Sequence, residues 1–519
     1  MPTKDRVRSP FRTPSLAKTA RGFAGRFGGR WGTVPQPPQW YTTSVQVCGV
    51  YPYSAGSARP TDGAPLGRDR RVGTAVCTDH ESLYRAGVIS SPSMMLFGIN
   101  GVGKSSTAQT ILLGQAARGI TLGVHNPIKA GEHTALIRAL GGPVWEVGPS
   151  ASNHKINLLA PGPLGEAARR IGGDTGRELE HLARDKAIQL TQLIARTTRG
   201  EPLHDIEDAV LEALVDDART RNARPATAHL LEAFSSPSER VLGIAGYNDA
   251  GAFYERHRRL GETLRAMLSG EMGRMLGGDA DTVQYDPGNP GGWCFDTSAI
   301  PESNTKLLSA AMLSSWSLGM DIIDAHWELA KHERQLAERA AREGELYTPK
   351  VTWRGYSTLM DEFWYPIRAC EGIVDRVDRL SRTNRSIGSA DMKVTHSPKD
   401  MLSLPNPADR EKARGLAERA GLLGLMALTR EDLEMLSRVR SLTEKEIDTV
   451  AGFNSSPSWS KPKAPRGARR DAAAKPPAPP GAGLILLKVP ERVGIEVQML
   501  QTSVQANLHV TDTRYREQD

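Results

Sequence analysis

At 519 residues the chain is longer than one compact core organises, and about 150 residues per domain points to two to four units. The net charge of +7 is unevenly placed: residues 1–30 hold eight Lys/Arg against the single acid Asp5, so the remainder is close to neutral. Cys48, Cys77, Cys294 and Cys370 stand alone, with no C-x-x-C pair and no histidine at ligand spacing, which excludes a disulfide or zinc framework and favours a reducing, cytoplasmic setting. No apolar run approaches the roughly 20 residues of a membrane span, and the N-terminus carries no signal-peptide core.

Residues 1–40 are rich in Arg, Gly, Pro and Ser and read as a disordered basic tail. Within them Leu16, Ala20, Phe23, Phe27 and Trp31 recur at helical spacing among basic residues. Three readings stay open: a solvated tail, a segment lying on an anionic membrane as a peripheral contact, or one that stacks on nucleic acid. Residues 41–92 form a β-rich lead-in, with strand-like runs at Ser44–Val50 and Val72–Cys77 cut by Gly and Pro.

Residues 94–106 read Met-Met-Leu-Phe-Gly98-Ile99-Asn100-Gly101-Val102-Gly103-Lys104-Ser105-Ser106, an apolar strand that breaks into G-x-x-x-x-G-K-S and continues as a helix. This is the phosphate-binding loop. Its glycines let the backbone wrap phosphates, and successive N–H groups and the positive end of the helix supply donors and field. Lys104 reaches the β- and γ-phosphates, and the Ser105 hydroxyl completes a Mg²⁺ shell, so Mg-ATP is the expected cofactor.

Beyond the loop, Ile120–Val124 reads as a strand, Thr134–Leu140 as a helix, and Val144–Val147 and Ile156–Leu159 as further strands. Strands alternating with helices predict an α/β fold with a parallel sheet. The core is expected to run over 93–163 and 290–454, interrupted by an all-helical insertion at 164–289. In the second part, Trp293–Thr297 is strand-like, 306–342 a long helix, 367–385 a helix, Asp391–Thr395 a strand and 409–451 helices. A Pro/Ala/Lys linker spans 455–483, and 484–519 is a small β segment containing Leu484–Val489 and Ile495–Leu500.

Hydrolysis needs a second acidic element at the end of a neighbouring strand, and Tyr356-Ser-Thr-Leu-Met-Asp361-Glu362 provides one. Asp361 would hold Mg²⁺ through water, and Glu362 would take the proton of the attacking water. The bland alternative is an acidic turn after an edge strand. Arg376, Arg379, Arg382 and Arg385 recur every three residues, either as a solvated helix face or with Arg382 or Arg385 projecting across a subunit boundary as an arginine finger. His396, at the end of the 391–395 strand, is either a hydrogen-bonded histidine or a γ-phosphate sensor.

With these residues in place, the chain from about Pro92 to Ala451 resembles the cytoplasmic ATPases of conjugative transfer and type IV secretion, in the RecA-like hexameric motor group. The resemblance rests on Gly98–Ser105, Lys129-Ala-Gly-Glu132-His133, Ala139-Leu-Gly-Gly142, Ile156-Asn-Leu158, the helical insertion, Asp361–Trp364 and Arg382–His396. It implies a RecA-like P-loop NTPase core, ATP hydrolysis in a ring or stacked homo-oligomer with a hexamer favoured, and work at membrane channel proteins, with the insertion as a lid or docking lobe. The chain departs from the family's pattern at Asn126, where an acid is frequent, at His396, where Gln is usual, and in a shorter region before the loop. The competing functions are a DNA-pumping translocase or coupling protein, with DNA as partner, and a nucleotide-dependent scaffold with weak turnover.

Overall fold

The computed structural model describes residues 17–19, 22–24, 59–125, 133–150, 152–277, 283, 285–286, 289, 291–365, 387–402, 404, 407–454 and 481–508. The expected Ser44–Val50 strand, the 367–385 helix and most of the linker lie outside them. The chain divides into two compact units, residues 1–59 with 70–74, and the rest. In the first, β1 (Ala17–Thr19) and β2 (Gly22–Ala24) pair antiparallel, with Lys18 opposite Phe23. Of the residues at helical spacing, Phe23 lies in β2, and Leu16, Ala20, Phe27 and Trp31 lie outside the described residues.

The second unit is built on an eleven-stranded sheet. Its strands in chain order are β3 (Pro65–Asp69), β4 (Ala75–Cys77), β5 (Ser93–Phe97), β6 (Thr121–His125), β7 (Val144–Glu146), β8 (Trp293–Asp296), β9 (Tyr356–Met360), β10 (Ala390–Thr395), β11 (Leu422–Leu425), β12 (Leu484–Lys488) and β13 (Ile495–Met499). In space they run β4-β3-β13-β12-β11-β5-β10-β9-β6-β8-β7. The seven from β11 to β7 are all parallel, and the other four are antiparallel. Every residue of β5, β6, β8, β10 and β11 is buried, as in a parallel sheet covered on both faces. The β segments at the two ends of the sequence therefore pair with each other (β13 with β3) and extend the central sheet.

Two sequence expectations are corrected. Residues 409–451 are not all helical: between the helices Pro407–Arg419 and Arg430–Ser437 lies β11, which pairs directly with β5. Four apolar residues are too short for periodicity to separate strand from helix. Gly424 in β11 is tightly enclosed, since a Cβ there would lie 2.8 Å from Leu96 Cδ1 and 2.8 Å from Met94 Cε. Ile156–Leu159 is not a strand. Its backbone is taken by the helical region instead, with Ile156 N–H on Met275 O (2.9 Å) and Leu158 N–H on Thr227 Oγ1 (3.0 Å).

Between Gly162 and Leu276 eight helices follow one another, the longest being Gly173–Arg199. Leu164, Ala168, Leu179 and Ala183 pack against Ala325, Leu329 and Ala330 of the 39-residue helix Thr305–Glu343, forming a small second core. Small residues allow this close approach. Among the described residues no helix is long and apolar enough to cross a membrane.

The long helix also meets β6 and β8. A Cβ at Gly319 would come within 2.4 Å of His125 Cε1 and 2.5 Å of the Trp293 ring, so only glycine fits. His125 is fully buried, edge-on to Trp293, and neither ring nitrogen has a hydrogen-bond partner among the described residues. Burial pushes its pKa down to about 3. Below pH 6.5 the unfolded chain binds a proton here that the native ring refuses, so this contribution to stability is complete above that pH and is lost as pH falls towards 3. Unfolding free energy should drop by about 2 kcal/mol between pH 7 and pH 5 from this ring, at ~1.4 kcal/mol per unit. Denaturant titrations of the protein and of His125→Leu at both pH values check it: the variant should lose less on acidification, and equal losses would rule the ring out.

Candidate active site

The parallel strands β5, β10 and β9 carry their chemistry at their carboxyl ends, where the chain leaves the sheet. After β5, Gly98–Gly103 makes the loop that the sequence predicts to bind phosphate, and Lys104 opens the helix Lys104–Ala117. Gly101 and Gly103 have φ of 83° and 96°, a region that side chains disfavour, which explains glycine at both. The loop is held from both flanks of β5: Gly98 N–H donates to His396 O (3.2 Å) and Ile99 N–H to Ala427 O (3.0 Å). A third tie comes from the C-terminal strands, where Gly483 N–H donates to Val102 O (3.0 Å).

Lys104, although buried, points to the β10 side. Its Nζ donates to Ile99 O at 3.2 Å and lies 2.9 Å from His396 Nδ1. An ammonium only donates, so His396 accepts at Nδ1 and carries its proton on Nε2. That nitrogen is 2.9 Å from Glu362 Oε2, which also accepts from Trp364 Nε1 at 2.5 Å. Lys104, His396, Glu362 and Trp364 thus form one chain of close polar contacts. Glu362 is buried and takes φ of 50°, a left-handed conformation that costs a non-glycine residue about 1–3 kcal/mol and that concentrates at functional positions.

Asp361 lies beside it. Its Oδ1 accepts from Glu362 N–H (2.9 Å), and Oδ2 is 2.7 Å from Nε2 of the fully buried His133. Burial pushes the Asp361 carboxyl up, but the hydrogen bond and charge of His133 outweigh it and hold the group below the usual carboxylate range. Each oxygen keeps a second lone pair, so Asp361 can still orient a metal-bound water. The half-buried Ser105 hydroxyl, in the first helical turn, makes no hydrogen bond among the described residues. Ser105 and an ionised Asp361 are oxygen donors suited to Mg²⁺, which retains several waters and takes few protein ligands.

The structure thus brings together Gly98, Ile99, Asn100, Gly101, Val102, Gly103, Lys104, Ser105 and Ser106 in one loop and helix start, and sets His396 against Gly98 and Lys104, with Glu362 beside His396. Arg382 and Arg385 lie outside the described residues. Sequence reasoning gave no role to His133 or Trp364, although both stand in quoted stretches. Trp364, two residues beyond Glu362, is a local cue; nothing along the chain ties His133 to a carboxylate 228 positions away.

No family model and no curated protein sequence matches the chain. Among solved structures, VirB4 of Thermoanaerobacter pseudethanolicus is similar over 87% of this chain and 100% of its own, with a TM-score of 0.56 and 15% identity. The bacterial conjugative coupling protein TrwB, unbound, is similar over 88% and 92% with a TM-score of 0.46 at 12% identity. TrwB in complex with ADP and Mg²⁺ gives 88%, 93%, 0.45 and 12%. The VirB4 likeness shows a shared fold; the two TrwB likenesses are too loose to add to it. The architecture is the RecA-like P-loop core expected from the sequence.

Proposed function

We propose that this chain is an ATP-hydrolysing motor of a conjugative transfer or type IV secretion apparatus. The observation that carries the reading is the link from Lys104 through His396 to Glu362, with 2.9 Å at each step, which joins the lysine after the glycine-rich loop to a carboxylate at the end of a neighbouring strand. The fold shared with VirB4 and the motif likeness described above supply the apparatus.

In this reading the loop N–H groups and Lys104 bind the β- and γ-phosphates, and Lys104 trades its bond to His396 for one to phosphate. Ser105 and Asp361 would hold Mg²⁺, which would supply charge neutralisation for the phosphates. Glu362 takes a proton from water. The water oxygen bonds to the γ-phosphorus as the bond to the β,γ-bridging oxygen breaks, and ADP and inorganic phosphate leave. His396 and Trp364 orient the Glu362 carboxylate, and His133 orients that of Asp361. The chain acts as a homo-oligomer, with a hexamer favoured, Arg382 or Arg385 as finger, and the 162–276 helices as the lobe that meets a channel partner.

ATPase rates with and without DNA test the reading. DNA-independent, Mg²⁺-dependent turnover is expected. DNA-stimulated turnover would transfer the chain to the coupling-protein class, and tight ATP binding without turnover would make it a nucleotide-dependent scaffold.

A further inference from the structure

The site as described accounts for the phosphates and the attacking water, and for nothing else of a nucleotide. Strand order gives the polyphosphate a direction. His396 follows β10 and Glu362 follows β9, both on one flank of β5, and Lys104 reaches towards that flank. If the γ-phosphate lies there, a polyphosphate laid along Gly98–Gly103 carries its nucleoside over the opposite flank, where β11, β12 and β13 follow in that order.

The C-terminal strand pair meets the phosphate loop on that flank. β12 runs antiparallel to β11, so its first residue and the last of β13 sit at the same edge as the carboxyl end of β5. Gly483, with φ of 73°, donates to Val102 O of the loop, and its own carbonyl accepts from Met499 N–H (2.8 Å) and Gln498 Nε2 (3.4 Å). A Cβ on Gly103 would stand 3.7 Å from Gly483 N, ordinary contact distance. Along the end of β13 burial alternates: Val497 and Met499 face inwards, while Gln498 and Leu500 share the outer face, Leu500 with 53% of its surface exposed. The pair is held in place by a buried ion pair, Lys488 Nζ to Glu446 Oε1 and Oε2 at 2.9 and 3.0 Å, whose carboxylate also accepts from Gly494 N–H (2.8 Å).

We propose that the start of β12 and the end of β13 form the nucleoside subsite of this nucleotide site, with the Gln498 amide as hydrogen-bonding partner for the base or ribose and Leu500 as the apolar surface beside it. The proposal rests on the P-loop reading above. An amide that both donates and accepts can discriminate between purine edges, so this segment sets nucleotide preference while the loop sets phosphate affinity.

Competition binding of ATP, GTP and inorganic tripolyphosphate to the full chain tests it, with Gln498→Ala, Leu500→Ser and, as a control on the turn between β12 and β13, Val493→Ser. The first two should weaken ATP about tenfold, the equivalent of one hydrogen bond or apolar contact, and narrow the ATP/GTP ratio, while tripolyphosphate affinity and the control stay at wild-type values. Unchanged ATP affinity overturns the subsite. So does equal weakening of ATP and tripolyphosphate, which would mean the loop itself was disturbed, or wild-type protein that binds tripolyphosphate as tightly as ATP. Wild-type protein that binds neither overturns the P-loop reading itself, and Lys104→Ala, which should lose both ligands, marks that case.

Discussion

Glu362→Gln is expected to bind ATP at wild-type affinity and turn it over about 10²–10⁴ times more slowly, whereas Lys104→Ala is expected to lose ATP binding itself. The two residues are joined through His396 and, in the proposed mechanism, serve different steps. In the proposed reading Lys104 is the side-chain cation that a polyphosphate meets beside the loop, and removing it takes that charge away. Glu362 meets the loop through His396, and its amide analogue keeps the size and an oxygen for the Trp364 and His396 donors while losing the basicity. Nucleotide retention on a filter, measured beside single-turnover hydrolysis, separates them. A Glu362→Gln protein hydrolysing at the wild-type rate would place the general base elsewhere, and Lys104→Ala retaining ATP would remove the lysine from phosphate binding.

Arg385→Ala or Arg382→Ala should reduce turnover by roughly 10³–10⁵, the range seen when an arginine finger is removed, and mixing the inactive Arg variant with Lys104→Ala should recover part of it. Recovery needs an assembly in which one subunit contributes an intact loop and its neighbour an intact arginine. The described chain resumes just after this stretch at Ile387, whose carbonyl accepts the Trp353 indole N–H (2.9 Å), at the amino end of β10. Specific activity should also rise with protein concentration as subunits assemble. Full activity in both Arg variants, or loss without recovery in mixed assemblies of verified composition, would return the stripe to a solvated helix face.

The glycine-rich loop proposed to bind phosphate was legible in the sequence because its geometry is local. Wrapping a phosphate takes consecutive N–H groups, glycines where φ turns positive, and a lysine at the helix start, all within eight residues. The acidic pair was legible for a similar reason: a strand ending in Asp361-Glu362 puts both carboxylates at one edge of a parallel sheet. The alternation of strand and helix was enough to predict a parallel core. Where the signal was shorter than one period, it failed. In the sequence β11 merges with the neighbouring helices and Ile156–Leu159 reads as a strand, because four apolar residues suit either state until their neighbours are known.

By itself, then, the sequence determined the loop that carries the proposed phosphate chemistry and the class of sheet. Tertiary structure alone decided which distant groups complete the site. His133 against Asp361, His396 between Lys104 and Glu362, and Gly483 against Val102 each join residues far apart along the chain. No periodicity encodes such a contact. It follows from strand order, which is set by how all eleven strands bury their apolar faces together, and that order is what lays the C-terminal β12 and β13 beside the phosphate loop.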